Sequence, residues 1–253
     1  MTALAENLER LEAEIAAACR RAGRPRAAVE LMAVSKTHPA ETIREAAALG
    51  LTLFGENRVQ EFMAKASALS DLRRNAAHAA SIDRPARTHL IGHLQSNKAQ
   101  RAAELFDGID SLDSLRLAER LNEAAGRLGK RLPVLIEVKL SPEETKAGLD
   151  PDSPEAAQLL ERLPHLPHLL MQGLMTIAPF DVPNDETRAC FRRLRLYRDH
   201  WAGIHSRLNF DVLSMGMSGD FPLAIEEGAT RIRVGASLFG ERSYPAPIAL
   251  EQV

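Results

Sequence analysis

Val29-Glu30-Leu31-Met32-Ala33-Val34-Ser35 is a short, largely apolar run of the buried-strand kind, and Pro39–Leu49 behind it reads as a helix stopped by Gly50. This pair decides the fold because the chain keeps repeating it. Leu51–Phe54 reads as a second strand with Asn57–Leu69 as its helix, and Thr88–Ile91 as a third with Asn97–Leu105. Phe106–Ser111 and Leu115–Leu128 follow, then Pro133–Val138 with a helix near Pro154–Leu163. Leu169–Thr176 pairs with Asp185–Leu208, Phe210–Ser214 with Asp220–Glu227, and Thr230–Val234 reads as the eighth strand. Parallel neighbours need crossover connections, so this alternation predicts a parallel sheet. Eight units in 253 residues predict an α/β fold of the single (β/α)8 TIM-barrel type. The alternative is an open doubly wound sheet, weakened because no G-x-G-x-x-G follows the first strand.

Two segments lie outside this rhythm. Thr2–Arg21 is an extra N-terminal helix with apolar positions at Leu4, Leu8, Leu11 and Ile15, ended by Gly23 and Pro25. Asp71–Arg87 has no clear period, contains Pro85 and reads as a loop insertion (residues 71–87). The eighth unit ends near Gly240, so residues 1–253 are expected to form one domain.

Composition narrows the function. Hydrophobic residues make up 45% of the chain and charged residues 26%, ordinary globular usage. A net charge of −2 offers no basic field, so nucleic acid and membrane surfaces are not expected partners. Cys19 and Cys190 make no disulfide framework. Met1–Arg10 carries Glu6 and Glu9 and no apolar signal core, and no apolar run reaches the length of a membrane span. A cytoplasmic protein is the expectation.

In barrels of this type the chemistry lies where strands end. Those positions include Lys36, Asn57, His93, Lys139, Thr176, the run Ser214-Met215-Gly216-Met217-Ser218-Gly219 and the run Arg233-Val234-Gly235-Ala236-Ser237. The chain has six lysines against 26 arginines, so Lys36 is not surface habit. A desolvated lysine loses the solvation of its ammonium form, and its neutral amine attacks carbonyls. The plainer alternative is a solvated loop lysine. The two glycine-rich runs carry small hydroxyls and backbone N–H groups able to cradle a phosphate. Their plainer alternative is two ordinary turns with N-caps at Ser218 and Ser237. Arg233 alternates with Ile232 and Val234 and so points the other way, which in a barrel can be inward, where a charge needs a partner; the plainer alternative is an end-of-strand salt bridge.

Other signals fail. Glu241 stands where a P-loop needs lysine. His89 and His93 flank a strand end, where a spacing of four places no metal between them. The arginines around Phe191–Arg198 read as a solvated helix face.

With these residues in hand, the chain resembles the pyridoxal phosphate homeostasis protein family. The segments that carry the resemblance are Ala33-Val34-Ser35-Lys36-Thr37, Phe54-Gly55-Glu56-Asn57-Arg58-Val59-Gln60-Glu61 and His89-Leu90-Ile91-Gly92-His93-Leu94-Gln95-Ser96-Asn97-Lys98. Gly173-Leu174-Met175-Thr176, Leu213 to Asp220, and Arg233-Val234-Gly235 with Phe239-Gly240 continue it in family order. The resemblance implies a barrel of the alanine-racemase N-terminal type with pyridoxal 5′-phosphate (PLP) as an internal aldimine on Lys36. It implies that Ser214, Met217, Ser218, Gly235, Ala236 and Ser237 hold the phosphate, that Arg233 faces the pyridine nitrogen and that Asn57 lies beside the ring. Arg58, the irregular stretch from Ser70 to Arg87, and Lys139-Leu140-Ser141 depart from the family's usual pattern.

Two classes of function follow from the resemblance. One is a carrier that buffers PLP and delivers it to apo-enzymes without amino-acid turnover, expected as a monomer. The other is a PLP-dependent racemase, which needs a base on each face of the substrate carbon. The tyrosines are Tyr197, within a helix, and Tyr244, in the tail, and no C-terminal β domain follows the barrel, which favours the carrier. A third class, an interaction module with purely structural PLP, gains no support from the acidic balance.

Overall fold

The computed structural model describes residues 2–74, 85–141, 143 and 147–240. The chain opens with α1 (Ala3–Arg21), whose N-cap Thr2 accepts from the Ala5 N–H at 3.3 Å. Strands and helices then alternate: β1 (Glu30–Val34), α2 (Ala40–Ala48), β2 (Leu53–Glu56), α3 (Val59–Ala66), α4 (Ser70–Arg74), β3 (Arg87–Leu90) and α5 (Ala99–Leu105). The second half continues with β4 (Gly108–Leu112), α6 (Leu115–Arg127), β5 (Leu132–Glu137), α7 (Pro154–Arg162), β6 (Leu169–Met175) and α8 (Asn184–Ile204). It ends with β7 (Val212–Ser214), α9 (Phe221–Glu226), β8 (Arg231–Val234) and α10 (Ala236–Phe239).

The strands run parallel in the order β1 to β8, and β1 closes on β8 through Glu30↔Arg231, Leu31↔Ile232 and Met32↔Arg233. The expected closed barrel with an extra N-terminal helix is present, and the open sheet is excluded. Side chains alternate across each strand. Leu31 and Ala33 join the large core beneath the helices, whereas Met32 and Val34 form a small apolar cluster with Leu53 and Ile91 inside the barrel. Arg233 is in register with Met32, so it shares the inner side. The face of α1 carrying Leu4, Leu11, Ile15, Ala18 and Cys19 is buried. That helix packs on α9 and α10, and Asn7 Nδ2 donates to Leu238 O at 3.0 Å.

The structure moves several expected boundaries. The second strand runs on to Glu56 instead of ending at Phe54, because its backbone keeps pairing: Gly55 O accepts from the Ser35 N–H at 3.0 Å and Glu56 O from the Ile91 N–H at 2.9 Å. The fourth starts at Gly108, since the Phe106 N–H still donates to Ala102 O as the C-cap of α5. The long helix stops at Ile204, where His205 N–H closes on Trp201 O at 2.8 Å, so the next strand begins at Val212. Of the expected 71–87 insertion, Asp71–Arg74 belong to α4 and Arg87 opens β3; residues 75–84 lie outside the described residues, as do 241–253. Cys19 and Cys190 are buried and unbridged.

The face of α8 expected to be solvated is tied down instead. Arg188 and Arg192 donate to Glu227 at 3.3 and 3.0 Å, and Arg195 Nη1 donates to the Glu227 backbone oxygen at 2.9 Å. Glu227, the C-cap residue of α9, draws these arginines together. The N-caps at Ser218 and Ser237, the plainer alternative for these two loops, do not form. Asp220 stands at the N-cap position of α9 without a side-chain capping bond, and Gly235 at that of α10.

Candidate functional site

A cavity of about 540 Å³ opens at the C-terminal ends of the strands, a size that suits a small ligand. Each wall comes from a different strand exit. Val34 and Lys36 come from β1, Asn57 from β2, Ile91, Gly92 and His93 from β3, and Glu137 and Ala147 from β5 and its loop. Ile177 follows β6, Met217, Ser218 and Gly219 follow β7, and Arg233, Gly235 and Ala236 end β8.

The turn that carries Lys36 is held from below. Ser35 Oγ donates to Glu56 Oε1 at 2.6 Å, and Lys65 Nζ meets the same carboxylate oxygen at 2.9 Å. Lys65 Nζ also donates to Ser35 O at 3.1 Å and His38 O at 3.0 Å, and the Thr37 N–H donates to Glu61 Oε1. Thr37 has φ 69°, the left-handed region, which the surrounding bonds sustain. Burial pushes the Glu56 carboxyl above its ordinary value, while Lys65 and Ser35 pull it back. Lys36 thus projects from a turn fixed on both sides by a charge cluster.

The far wall is built from backbone and one guanidinium. Gly216 has φ +91°, and a Cβ there would lie 2.6 Å from Ala224 Cβ, so only glycine lets this loop fold down onto α9. Ser218 Oγ accepts from the Ser237 N–H at 3.4 Å and links the loops after β7 and β8. Arg233 is buried; Nη1 donates to Ser214 O at 2.7 Å and Ser214 Oγ at 2.9 Å, and Nη2 to Thr176 O at 2.8 Å. Burial pulls this guanidinium below its ordinary pKa, against the attraction of Asp110, Glu137 and Asp220. On the third side, Gly92 allows the β2 and β3 loops to touch: a Cβ there would meet Asn57 O at 2.3 Å.

Seven of the nine residues expected from sequence line this cavity: Lys36, Asn57, Met217, Ser218, Arg233, Gly235 and Ala236. Ser214 lies beneath it, wholly buried, with its oxygens turned to Arg233. Ser237 reaches the site through its backbone N–H on Ser218. Arg58 sits at the N-cap position of α3, and the Lys139 N–H donates to Leu149 O at 2.9 Å, neither on the cavity wall. His89 is a core residue whose Nδ1 lies 2.7 Å from Asp110 Oδ1, and His93 is a rim residue whose Nδ1 lies 3.0 Å from Asp113 Oδ2. The Tyr197 hydroxyl donates to Asp152 at 2.7 Å, and Tyr197 does not line the cavity.

Sequence reasoning passed over Glu137. A carboxylate interrupting Val134-Leu135-Ile136 was as visible as Lys36 ending its own apolar run. It also missed the Glu56–Lys65 clamp, whose partners meet only in the folded chain.

The donor set decides what fits. Two cationic side chains, Lys36 and Arg233, flank a hydroxyl and glycine backbone, which suits an anionic group. The Val34, Ile91 and Ile177 walls suit an apolar ring, and the Glu137 Oε2 atom is buried with no hydrogen-bond partner among the described residues. A Cβ built on Gly219 meets nothing within 4 Å, so the cavity has room beside that backbone. Among the described residues, no group of His, Cys, Asp and Glu side chains is placed to hold a metal ion. Nor is any helix long and apolar enough to cross a membrane.

Residues 7–243 match the family described as alanine racemase, N-terminal domain. The pyridoxal phosphate homeostasis protein of Pseudomonas aeruginosa is 41% identical over 247 residues, 98% of this chain and 99% of that one. The solved structure of PipY from Synechococcus elongatus PCC7942, with PLP bound, has a TM-score of 0.79 at 44% identity, covering 94% of this chain and 100% of PipY. An alanine racemase of Clostridium difficile 630 has a TM-score of 0.65 at 17% identity over 96% of this chain and 57% of the racemase, a likeness of fold alone.

Proposed function

We propose that this chain, which belongs to the alanine racemase N-terminal domain family and within it to the pyridoxal phosphate homeostasis proteins, binds PLP in the cavity at the open end of its barrel. The observation that carries this is the meeting of Lys36 with Arg233 and the two glycine-containing loops in one cavity. PLP supplies an aldehyde that condenses reversibly with an amine. Lys36 is the amine that holds it, on a turn fixed by Lys65 and Glu61. Ser218, Met217 and the Gly235-Ala236-Ser237 backbone hold the phosphate, with Ser214 orienting Arg233 from below. Asn57 lies beside the ring. Arg233 faces the ring nitrogen, and a fixed cation there disfavours a proton on that nitrogen and weakens the ring as an electron sink.

The role is PLP homeostasis: residues 1–253 act as one PLP-binding barrel domain, a cytoplasmic monomer that buffers the cofactor and passes it to apo-enzymes. No turnover of amino acids is part of it. Racemisation needs a second proton-transferring group on the far face of the substrate carbon, and no tyrosine lines the cavity among the described residues.

Borohydride reduction of the PLP-loaded protein fixes the cofactor on the Lys36 peptide, and Lys36→Ala abolishes both the yellow absorbance and the mass shift. An unchanged adduct on another lysine overturns the assignment. The carrier role is tested by mixing loaded protein with alanine in deuterated water beside an apo-enzyme. Transfer of PLP without exchange at the α-carbon is the expected result. Racemisation at roughly 1 s⁻¹ or faster favours the racemase.

A further inference from the structure

Holding PLP on Lys36 leaves Glu137 without a task, and its setting is unlike that of the other buried acids. It ends β5 on the cavity wall, only 4% exposed, with Oε2 buried and unpartnered among the described residues. A carboxyl oxygen in that position has given up water's hydrogen bonds and received none in return. Asp110, by contrast, meets His89 and Arg231. Glu56 also has an unpartnered Oε2, but it lies behind the Lys36 turn and its Oε1 meets Ser35 and Lys65. Glu137 alone of the three lines the cavity.

Charges face it from several strand exits. Arg233 on β8 attracts its negative form and Asp113, after β4, repels it. Lys36 and His93 share the cavity wall, His93 bonded to Asp113, and Lys139 follows two residues along its own strand exit. Burial outweighs these and raises the carboxyl to about 7.

We propose that Glu137 engages the ligand as a carboxylic acid, donating a hydrogen bond to a polar acceptor atom of bound PLP, so that the cavity takes up a proton from solvent when the ligand enters. This rests on the PLP reading of the same cavity. The entering phosphate is anionic and favours the uncharged acid over the carboxylate. Below pH 7 the empty site already carries the proton. Above pH 7 binding must take it up, and this group weakens affinity by about tenfold per pH unit until the bound-state value is passed. Lys36 acts in the opposite sense, because its amine must lose a proton to condense. The Glu137→Gln substitution separates the two, since the amide keeps an N–H donor and never ionises.

The test measures PLP affinity of the full-length protein at pH 6, 7 and 8, beside the E137Q variant. The ratio of wild-type to variant Kd is expected to rise about fivefold between pH 7 and 8. Titration calorimetry at pH 8, in buffers of different ionisation heat, is expected to show about one proton more taken up by the wild type than by E137Q, the Lys36 contribution being common to both. A ratio flat with pH, or equal proton uptake by wild type and E137Q, overturns the role of Glu137 while a borohydride-fixed adduct on Lys36 leaves the PLP reading standing. No adduct at any pH overturns the PLP reading itself.

Discussion

Two arginines two residues apart on β8 show how the barrel treats charge at different depths. Arg231 and Arg233 point to the same side and are almost equally buried, at 3% and 4% exposure. Arg231 is matched by carboxylates: Glu30 Oε2 at 2.9 Å and Asp110 Oδ2 at 3.1 Å, with Asp110 also bonded to His89. Arg233, nearer the open end, donates to two backbone carbonyls and a hydroxyl, oxygens without formal charge. Coulomb attraction outweighs burial at Arg231 and raises its pKa, whereas burial prevails at Arg233 and lowers it. The lower charge is neutralised by the protein. The upper one is oriented by neutral acceptors on the cavity wall, with carboxylates acting on it only at longer range.

The largest effect that tests this contrast is on stability. Arg231→Leu leaves Asp110 buried with only His89 beside it, and removing one partner of a buried pair costs about 3–5 kcal/mol. Urea unfolding, followed by the single tryptophan, Trp201, which is 5% exposed, measures it. A loss below about 1 kcal/mol would place this pair with ordinary surface ion pairs and end the contrast. The pH dependence follows. Burial pushes the Asp110 carboxyl up, but His89 and Arg231 together hold it below its ordinary value. A depressed carboxylate contributes stability that is present above its unfolded pKa, about 4, and lost as pH falls through the folded value. Without Arg231 the acid limb of the stability curve moves to higher pH.

The upper layer is expected to answer in binding. Ser218→Asp sets a carboxylate beside the Ser237 N–H, where the proposed binding mode holds the phosphate of PLP. PLP affinity is expected to fall on the order of a hundredfold, with the urea midpoint near wild type. Unchanged affinity in a folded variant moves the phosphate to another part of the cavity. Arg233→Leu is smaller in stability than its counterpart on the same strand. It breaks no direct ion pair, removing only a longer-range attraction to Asp110, Glu137 and Asp220 and leaving the acceptors of Ser214 and Thr176 unpaired, so about 1–2 kcal/mol is expected. Equal losses for the two arginines would erase the distinction between a structural and a ligand-facing charge.

How much of this was legible in sequence follows the same division. Arg233 was readable because strand alternation turns it away from Ile232 and Val234, and the barrel followed from the repeated strand–helix rhythm. Lys36 and the glycine runs stood out because residue type and strand-end position are local signals. Glu56 did not stand out. A glutamate before Asn57 looks like the start of a loop until Lys65, nine residues on, supplies a buried cation from the next helix. The caps at Ser218 and Ser237 failed for a related reason. The left-handed turn at Gly216 and the bond from Ser237 N–H to Ser218 Oγ engage this serine across two loops, and Asp220 takes the capping position. Pairings between distant segments decide these points, and no periodicity announces them.

A third treatment of charge lies outside the barrel and sharpens the comparison at its weak end. Glu227 is 5% exposed and gathers Arg188, Arg192 and Arg195 from α8, while Glu226 takes Arg21 and a second bond from Arg188. Burial pushes the Glu227 carboxyl up, but the arginines outweigh it and hold it below its ordinary value. This resembles the Arg231 cluster on paper. The difference is that the arginine side chains remain 30–52% exposed, so water and salt share their charge. Glu227→Gln keeps the side chain's size and an acceptor oxygen while removing the charge. Its loss is therefore expected to be about 1 kcal/mol at low ionic strength and to shrink in roughly 0.5 M salt. The Arg231→Leu loss is expected to persist there, because its partners are screened by protein and not by ions. If the Glu227→Gln loss holds its size in high salt, the α8–α9 cluster behaves as a buried network, and solvent exposure of the cation is not what separates the two.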